Sequence, residues 1–282
     1  MNEIFENLTV SKKDPKKHTS IDFKRGNQLE GGDSRQEYTR LSDDIAEQFI
    51  CDAVDIEKLV MNLQWIGKNH TDEDRSNEVR ALARLVLELR NDIGTYDTIV
   101  SDDASGRLPA LFLHDIAGRK RKLEGKKDET MIYFVAGGQS VDSEGKAAAQ
   151  EFVSSRKASM GRLLLVTELV ISGESIRWLA DIFMREGLRF DIACVSSIKP
   201  ADRFIGNGIP GMERMRYGSI GDEGLVFTRK NGNGVEKMDN EEFTAKESHL
   251  RAHPKRNSDD YEAKRAARAD MKYLAQELSK LL

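Results

Sequence analysis

The sequence is poor in residues on which several classes of protein depend. Its 282 residues include two cysteines, Cys51 and Cys194, and five prolines. Two isolated thiols cannot build a disulfide scaffold or a cysteine-rich zinc site, and they fit a reducing cytoplasm. No apolar run approaches the roughly 20 residues that a membrane-spanning helix needs, and the first residues lack the basic and apolar segments of a signal peptide. We therefore expect a cytoplasmic protein without a membrane partner.

An excess of positive charge is also lacking. Lysine and arginine number 44 against 48 aspartates and glutamates, which gives a net charge of −4. The chain as a whole is thus unsuited to bind a polyanion, and any phosphate chemistry must be local. Charged residues make up 33% and hydrophobic residues 39%, so polar segments must dilute a core of ordinary composition.

The amino-terminal part divides into a polar and a helical region. Residues 1–42 contain too little apolar surface to fold and are predicted to be a flexible tail. Its basic run, residues 12–25, could touch a nucleic acid, but a solvated arm is the favoured interpretation. Residues 43–95 are predicted to be helical, because apolar side chains recur every three or four residues over 43–66 and again over 79–89.

The periodicity changes between residues 96 and 200, which we take as the core. Short apolar or β-branched runs that predict strands occur at 98–100, 131–135, 163–166 and 192–195. Helical patterns lie between some of them, at 109–116 and 174–185. This alternation predicts an α/β fold with a mainly parallel sheet that is flanked by helices.

The carboxyl-terminal part is predicted to add two further pieces. Residues 201–245 are rich in glycine and predict loops, with a hairpin over 224–238. Residues 246–282 end in a charged helix whose apolar stripe would dock on the domain or on a partner.

The most informative segment follows the predicted strand at 163–166. Thr167 and Glu168 are expected at the carboxyl end of that strand, and Ser172 and Gly173 then open a helix. Free N–H groups at a helix start attract phosphate, and the hydroxyls of Ser172 and Ser175 could donate to it. The alternative is an ordinary turn with capping serines. The phosphate interpretation is favoured because strand, acid, Ser-Gly and helix occur together.

This segment resembles the ribose-phosphate signature of type I phosphoribosyltransferases, which residues 167–175 fit without a gap. The first of the two acidic positions holds Thr167, so that Glu168 alone remains, and Glu174 is an unusual negative charge inside the loop. The resemblance implies that Glu168 is a catalytic residue that holds the ribose hydroxyls. The substrate-binding residues that it implies here are Thr167, Ile171, Ser172, Gly173, Glu174 and Ser175.

A second element of the same family lies upstream, in residues 96–113. A strand, a short polar loop and a helix follow one another there, with the pair Gly106-Arg107 in the loop. The resemblance implies that Arg107 is catalytic and binds pyrophosphate. Amides of the loop would assist, in the substrate-binding residues Ala104, Ser105 and Gly106. Candidate Mg²⁺ ligands are Glu168, Asp102 and Asp103, although the two aspartates could instead bind water or cap the helix.

A third element is a mobile loop expected between residues 135 and 162. In the family such a loop closes over the site and brings a basic residue to the departing pyrophosphate. The candidates for that residue are Lys146, Arg156 and Lys157, and their spacing does not choose among them.

The resemblance implies a type I phosphoribosyltransferase-like sheet with helical extensions at both ends. The implied activity is transfer of a phosphoribosyl group from 5-phosphoribosyl pyrophosphate to a nitrogenous base, a glycosyltransferase reaction of nucleotide metabolism with Mg²⁺ as cofactor. A non-catalytic sensor of phosphoribosyl compounds or nucleotides on the same fold is the alternative. The expected partner is this small-molecule ligand, and a homodimer stays open. A base-recognising hood could come from residues 203–240 or from the helices of 43–90.

Overall fold

The fold is known from a computed structural model that describes residues 42–66, 70–101, 106–135, 143–200, 204, 209–221 and 258–282. The predicted tail, apart from Ser42, and the predicted hairpin at 224–238 lie outside the described residues.

Helices and strands alternate in the order that the sequence predicts for an α/β fold. The helices are α1 Asp43–Ala53, α2 Ile56–Asn62, α3 Asp72–Leu89, α4 Arg107–Leu123, α5 Ser143–Met160, α6 Glu174–Arg185 and α7 Ser258–Leu278. The strands are β1 Thr98–Ser101, β2 Met131–Phe134, β3 Leu163–Val170, β4 Phe190–Ser197 and β5 Met212–Ile220. Short 3₁₀ turns cover Ile93–Thr95 and Ser279–Leu281.

All five strands form one parallel sheet in the order β2-β1-β3-β4-β5. Strands β1 and β3 are neighbours inside the sheet, with Ser101 opposite Val166. The parallel arrangement that the sequence predicts is therefore confirmed. Because the strands are parallel, all of them end at one edge, called here the carboxyl edge, and begin at the opposite amino edge.

Each face of the sheet is covered by its own helices. On one face, α1 to α4 and α7 pack against alternate residues such as Ile99, Leu164 and Val195. On the other face, α5 and α6 pack against Val100 and Leu165. Helices on both faces are what a parallel sheet requires, since both of its faces are apolar.

The helical pattern over 43–66 contains a break that the sequence analysis missed. Val54 is extended and buried, and Asp55 starts a new helix by accepting a hydrogen bond from the N–H of Lys58 at 3.0 Å. A side chain that caps a helix start competes with continuation of the preceding helix. The apolar period therefore persists across two helices.

The prediction of loops after residue 200 is wrong over Met212–Ile220. This segment forms β5, which pairs with β4 along its length. Its polar residues concealed it, because Arg214 and Arg216 form ion pairs with Asp92 and Gly218 lies against α3. Tertiary contacts rather than an apolar pattern make this segment a strand.

The carboxyl-terminal helix docks on the domain, which resolves one alternative left open by the sequence. Asp270 of α7 is buried, and its carboxylate accepts hydrogen bonds from the N–H groups of Gln64 (3.1 Å), Trp65 (2.7 Å) and Ile66 (2.8 Å). Leu274 and Leu278 are fully buried in the core of the same face. One side chain thus ties α7 to the turn after α2.

A charged network closes the amino edge. The carboxylate of Asp191, at the start of β4, accepts hydrogen bonds from Tyr96 Oη (2.6 Å), Arg162 Nη2 (3.1 Å) and Arg214 Nη2 (2.8 Å). Arg214 also reaches Asp92 at 3.1 Å. Burial, together with the nearby Asp191, raises the pKa of Tyr96 far above its usual range. These contacts tie together the segments that enter β1, β3, β4 and β5.

None of the helices within the described residues is both long and apolar enough to cross a bilayer.

Candidate functional site

The carboxyl edge between β1 and β3 is where the chain changes direction across the sheet. From β1 the chain passes through α4 to β2, and it then returns through α5 to β3 on the other side of β1. Helices α4 and α5 pack on opposite faces. A switch of this kind leaves a crevice outside the carboxyl ends of the two central strands, which is the usual ligand site of such sheets. Gly106 and Gly173, which follow β1 and β3, both lie at this edge.

The turn between β3 and α6 consists of Ile171, Ser172 and Gly173. Gly173 has φ 75° and ψ 3°, a left-handed conformation that glycine adopts without strain. The Oγ of Ser172 accepts a hydrogen bond from the N–H of Glu174 at 3.3 Å. Because Gly173 is the N-cap residue of α6 and has no side chain, this is a bond within the turn and not a side-chain cap, and it places a hydroxyl next to the helix start. The side chain of Ser175 lies outside the described residues.

Two buried side chains from the β4–β5 connection press on this turn. A Cβ atom placed on Gly173 would lie 3.4 Å from Cδ1 of Ile209 and 3.7 Å from Cδ1 of Phe204. The only signal that the sequence gives for a place of either residue beside this turn is apolar character inside a glycine-rich stretch. The glycine thus serves the turn through its backbone conformation and through an apolar contact.

Thr167 and Glu168 occupy a different place from the one that the sequence predicts. Strand β3 continues to Val170, so both residues lie inside it rather than at its end. Thr167 is 1% exposed and Glu168 is 0% exposed. The strand is longer because β4 pairs with it as far as Val170 opposite Ser197, and a partner strand cannot be seen in the local pattern. A ribose hydroxyl would reach Glu168 only if this part of the edge opened.

Arg107 is the first residue of α4 and stands at the carboxyl edge. Its Cζ lies 5.1 Å from the ring centroid of Phe134, the last residue of β2. A guanidinium over an aromatic face is attracted to the ring and loses part of its freedom. The sequence analysis placed Arg107 in the loop before this helix, whereas the structure places it in the first turn of α4. Its binding of pyrophosphate stays a prediction.

The predicted mobile loop is wrong over Ser143–Met160, because this segment is the 18-residue helix α5. Its exposed Lys146 lies in the first turn, near the carboxyl edge. Arg156 and Lys157 lie about 15 Å further along the helix axis, towards the amino edge. There Arg156 covers the ring of Phe152 at 4.3 Å, and Lys157 pairs with Glu186 at 2.9 Å. Of the three candidate cations, the placement favours Lys146 alone.

Several predicted site residues cannot be placed. Asp102, Asp103, Ala104 and Ser105 lie outside the described residues. Residues 136–142 of the expected loop also lie outside them. Within the described residues, no group of three or more acidic, histidine or cysteine side chains could hold a metal ion. Glu168 by itself is a poor fit to Mg²⁺, which prefers several oxygen ligands and retained waters.

Hydroxyl groups that the sequence analysis did not name lie at the carboxyl ends of neighbouring strands. Ser101 ends β1, while Ser196 and Ser197 end β4, and all three are buried. The Oγ of Ser219 in β5 donates to the Oγ of Ser196 at 3.0 Å. The available signal was the change from apolar to hydroxyl residues where each strand ends, which is typical of the ligand-facing edge of a parallel sheet.

In comparisons with known proteins, neither a protein-family model nor a curated protein matches the chain.

Proposed function

We propose that the protein binds 5-phosphoribosyl pyrophosphate, or the 5′-phosphate of a nucleotide, in the crevice between β1 and β3. The proposed reaction transfers the phosphoribosyl group to a nitrogenous base. The observation that carries the proposal is that α4 and α6 begin at this edge, on opposite faces and directly after the two central strands. Two positive helix ends and one cation beside a crevice favour a ligand with two separate anionic groups.

Each anionic group has its own binding element in this proposal. The start of α6, with Gly173 and the hydroxyl of Ser172, binds the 5′-phosphate. Arg107 binds the pyrophosphate from the start of α4, where Phe134 restrains its guanidinium. The two elements follow adjacent strands, and the proposal is that a single phosphoribosyl compound binds to both.

The proposed chemistry depends on charge and position. The bond from the anomeric carbon to the pyrophosphate oxygen breaks, and its electron pair leaves with the pyrophosphate. A bond from that carbon to a base nitrogen forms, and the nitrogen loses its proton to water. Arg107 stabilises the negative charge that the pyrophosphate gains, while the phosphate turn fixes the ribose relative to the base. No step is assigned to Mg²⁺, because the described donor set does not fit the ion.

A non-catalytic sensor is the second candidate, and the surroundings of Thr167 and Glu168 favour it. The family carries two acids where this chain has a threonine and a glutamate, both buried within β3. A site that has a phosphate-binding turn, but no accessible acidic side chain to contact the ribose, would bind the ligand and leave it intact. Fold alone does not decide between enzyme and sensor.

The test is release of pyrophosphate from 5-phosphoribosyl pyrophosphate in the presence of Mg²⁺ and a panel of purine and pyrimidine bases. Transfer predicts base-dependent release that Arg107→Ala lowers by about one to two orders of magnitude. Arg189→Ala is the control, because Arg189 is 80% exposed at the amino edge. Binding of the ligand without release supports the sensor. Absence of both binding and release contradicts the proposed function.

A further inference from the structure

Phe204 and Ile209 belong to the connection between β4 and β5, yet they contact the turn that follows β3. They are 4% and 6% exposed, and they share a core with Ile176 in the first turns of α6. Each lies within van der Waals distance of the position that a Cβ of Gly173 would take. Apolar side chains from a different connection therefore line the space beside Gly173.

Gly173 is the buried residue of the turn, and these two side chains lie on its buried side. Ile171 and Ser172 are exposed, and glycine has more backbone freedom than any other residue. A binding loop that must be ordered by its ligand loses affinity, whereas a loop that is already ordered does not. An apolar contact at Gly173 restricts the backbone of the turn without adding charge near the proposed phosphate site.

We infer that Phe204 and Ile209 are positioning residues for the phosphate turn: they hold the backbone of Ser172 and Gly173 in its binding conformation. The inference rests on the proposed function, since it concerns the phosphate end of the same ligand. It assigns to the β4–β5 connection an effect on affinity that requires no contact with the ligand.

Calorimetric titration with ribose 5-phosphate tests the inference, with two matched pairs of variants. Ile209→Ala is compared with Ile182→Ala, which removes an equally buried isoleucine of the same core near the far end of α6. Phe204→Ala is compared with Phe152→Ala on α5, which is also nearly buried. We expect the variants at 204 and 209 to raise Kd about tenfold and the controls to change it by less than about twofold. We expect Ile209→Val, which keeps most of the apolar side chain, to bind ribose 5-phosphate nearly as tightly as the parent protein.

Hydrogen exchange at the amides of residues 172–174 separates positioning from general loss of stability. We expect faster exchange in Ile209→Ala than in Ile182→Ala at equal free energy of unfolding. Equal Kd values in Ile209→Ala and the parent overturn this inference while leaving the proposed function intact. A parent protein that does not bind ribose 5-phosphate overturns the proposed function, and the inference with it.

Discussion

The main-chain oxygen of Ala81 in α3 lies so close to Gly218 in β5 that a Cβ at position 218 would clash with it, and only glycine fits there. We predict that Gly218→Ala lowers the free energy of unfolding by about 1–3 kcal/mol, because α3 or β5 must move to admit one methyl group. Denaturant unfolding followed by circular dichroism measures the change.

The control for this prediction is Gly118→Ala in α4. Gly118 is inside a helix, and apart from its chain neighbours and the backbone of that helix, no described atom lies within 4 Å of a Cβ placed there. Alanine should stabilise the protein there by roughly 0.5–1 kcal/mol, since glycine has the greater freedom in the unfolded chain. Equal effects of the two substitutions would contradict the close packing of α3 on β5.

A second prediction concerns Asp270, the acceptor for three main-chain N–H groups of the turn after α2. Asp270→Ala leaves these donors without their acceptor and should cost at least about 2 kcal/mol of unfolding free energy. Glu277→Gln on the same helix is the control. Its ion pair with Lys280 is partly exposed and should contribute no more than about 1 kcal/mol. A loss at Asp270 no larger than at Glu277 would show that this carboxylate does not anchor α7.

Stability at high pH should depend on Tyr96. Burial and the neighbouring Asp191 raise the pKa of its hydroxyl, so the folded protein keeps this proton where the unfolded chain loses it. Loss of this proton stabilises the unfolded state relative to the folded state. The free energy of unfolding should therefore fall as pH rises above about 10, by up to about 1.4 kcal/mol per pH unit. Below that pH the contribution is fully present. Unfolding measured from pH 8 to 11 should show a smaller slope in Tyr96→Phe, and identical slopes would refute the account.

Much of the fold follows from local pattern. The alternation of β-branched runs and helical stripes predicts β1 to β4, and the pattern at 174–185 gives α6 with its observed bounds. The carboxyl half of β3 and the whole of β5 were missed because pairing and burial decide them. Glu168 lies in a strand because the residues on either side of it pair with β4, and Arg216 is buried with its ion-pair partner Asp92 beside it.

The candidate site was predictable only where backbone chemistry determines it. Ser172 and Gly173 carry a recognisable turn signal, and the turn has the expected place. The contact of Ile209 with Gly173 joins residues that are distant along the chain, and no local pattern reports such a contact. The helix α5 was taken for a loop because its apolar stripe is weak and small or polar residues dominate it.

Gly173 offers a test that separates backbone strain from ligand binding. Gly173 precedes α6 and Gly187 follows it, and their φ angles are 75° and 73°. Alanine at either position should cost about 1–2 kcal/mol of stability through the left-handed conformation alone. Only Gly173→Ala should also weaken binding of ribose 5-phosphate in calorimetry, because only Gly173 lies at the carboxyl edge. Equal affinities of the two variants would remove Gly173 from the phosphate site.

The most direct test of the central claim is a titration of the isotopically labelled protein with ribose 5-phosphate, followed through its backbone amide signals by nuclear magnetic resonance. Binding in the crevice between β1 and β3 predicts the largest shifts at Gly106, Arg107, Gly173 and Glu174. The amino edge provides an internal comparison, since its arginines, Arg162 and Arg214, are already paired with Asp191. Shifts concentrated at those two arginines, or no shifts at any ligand concentration, would contradict the proposed site.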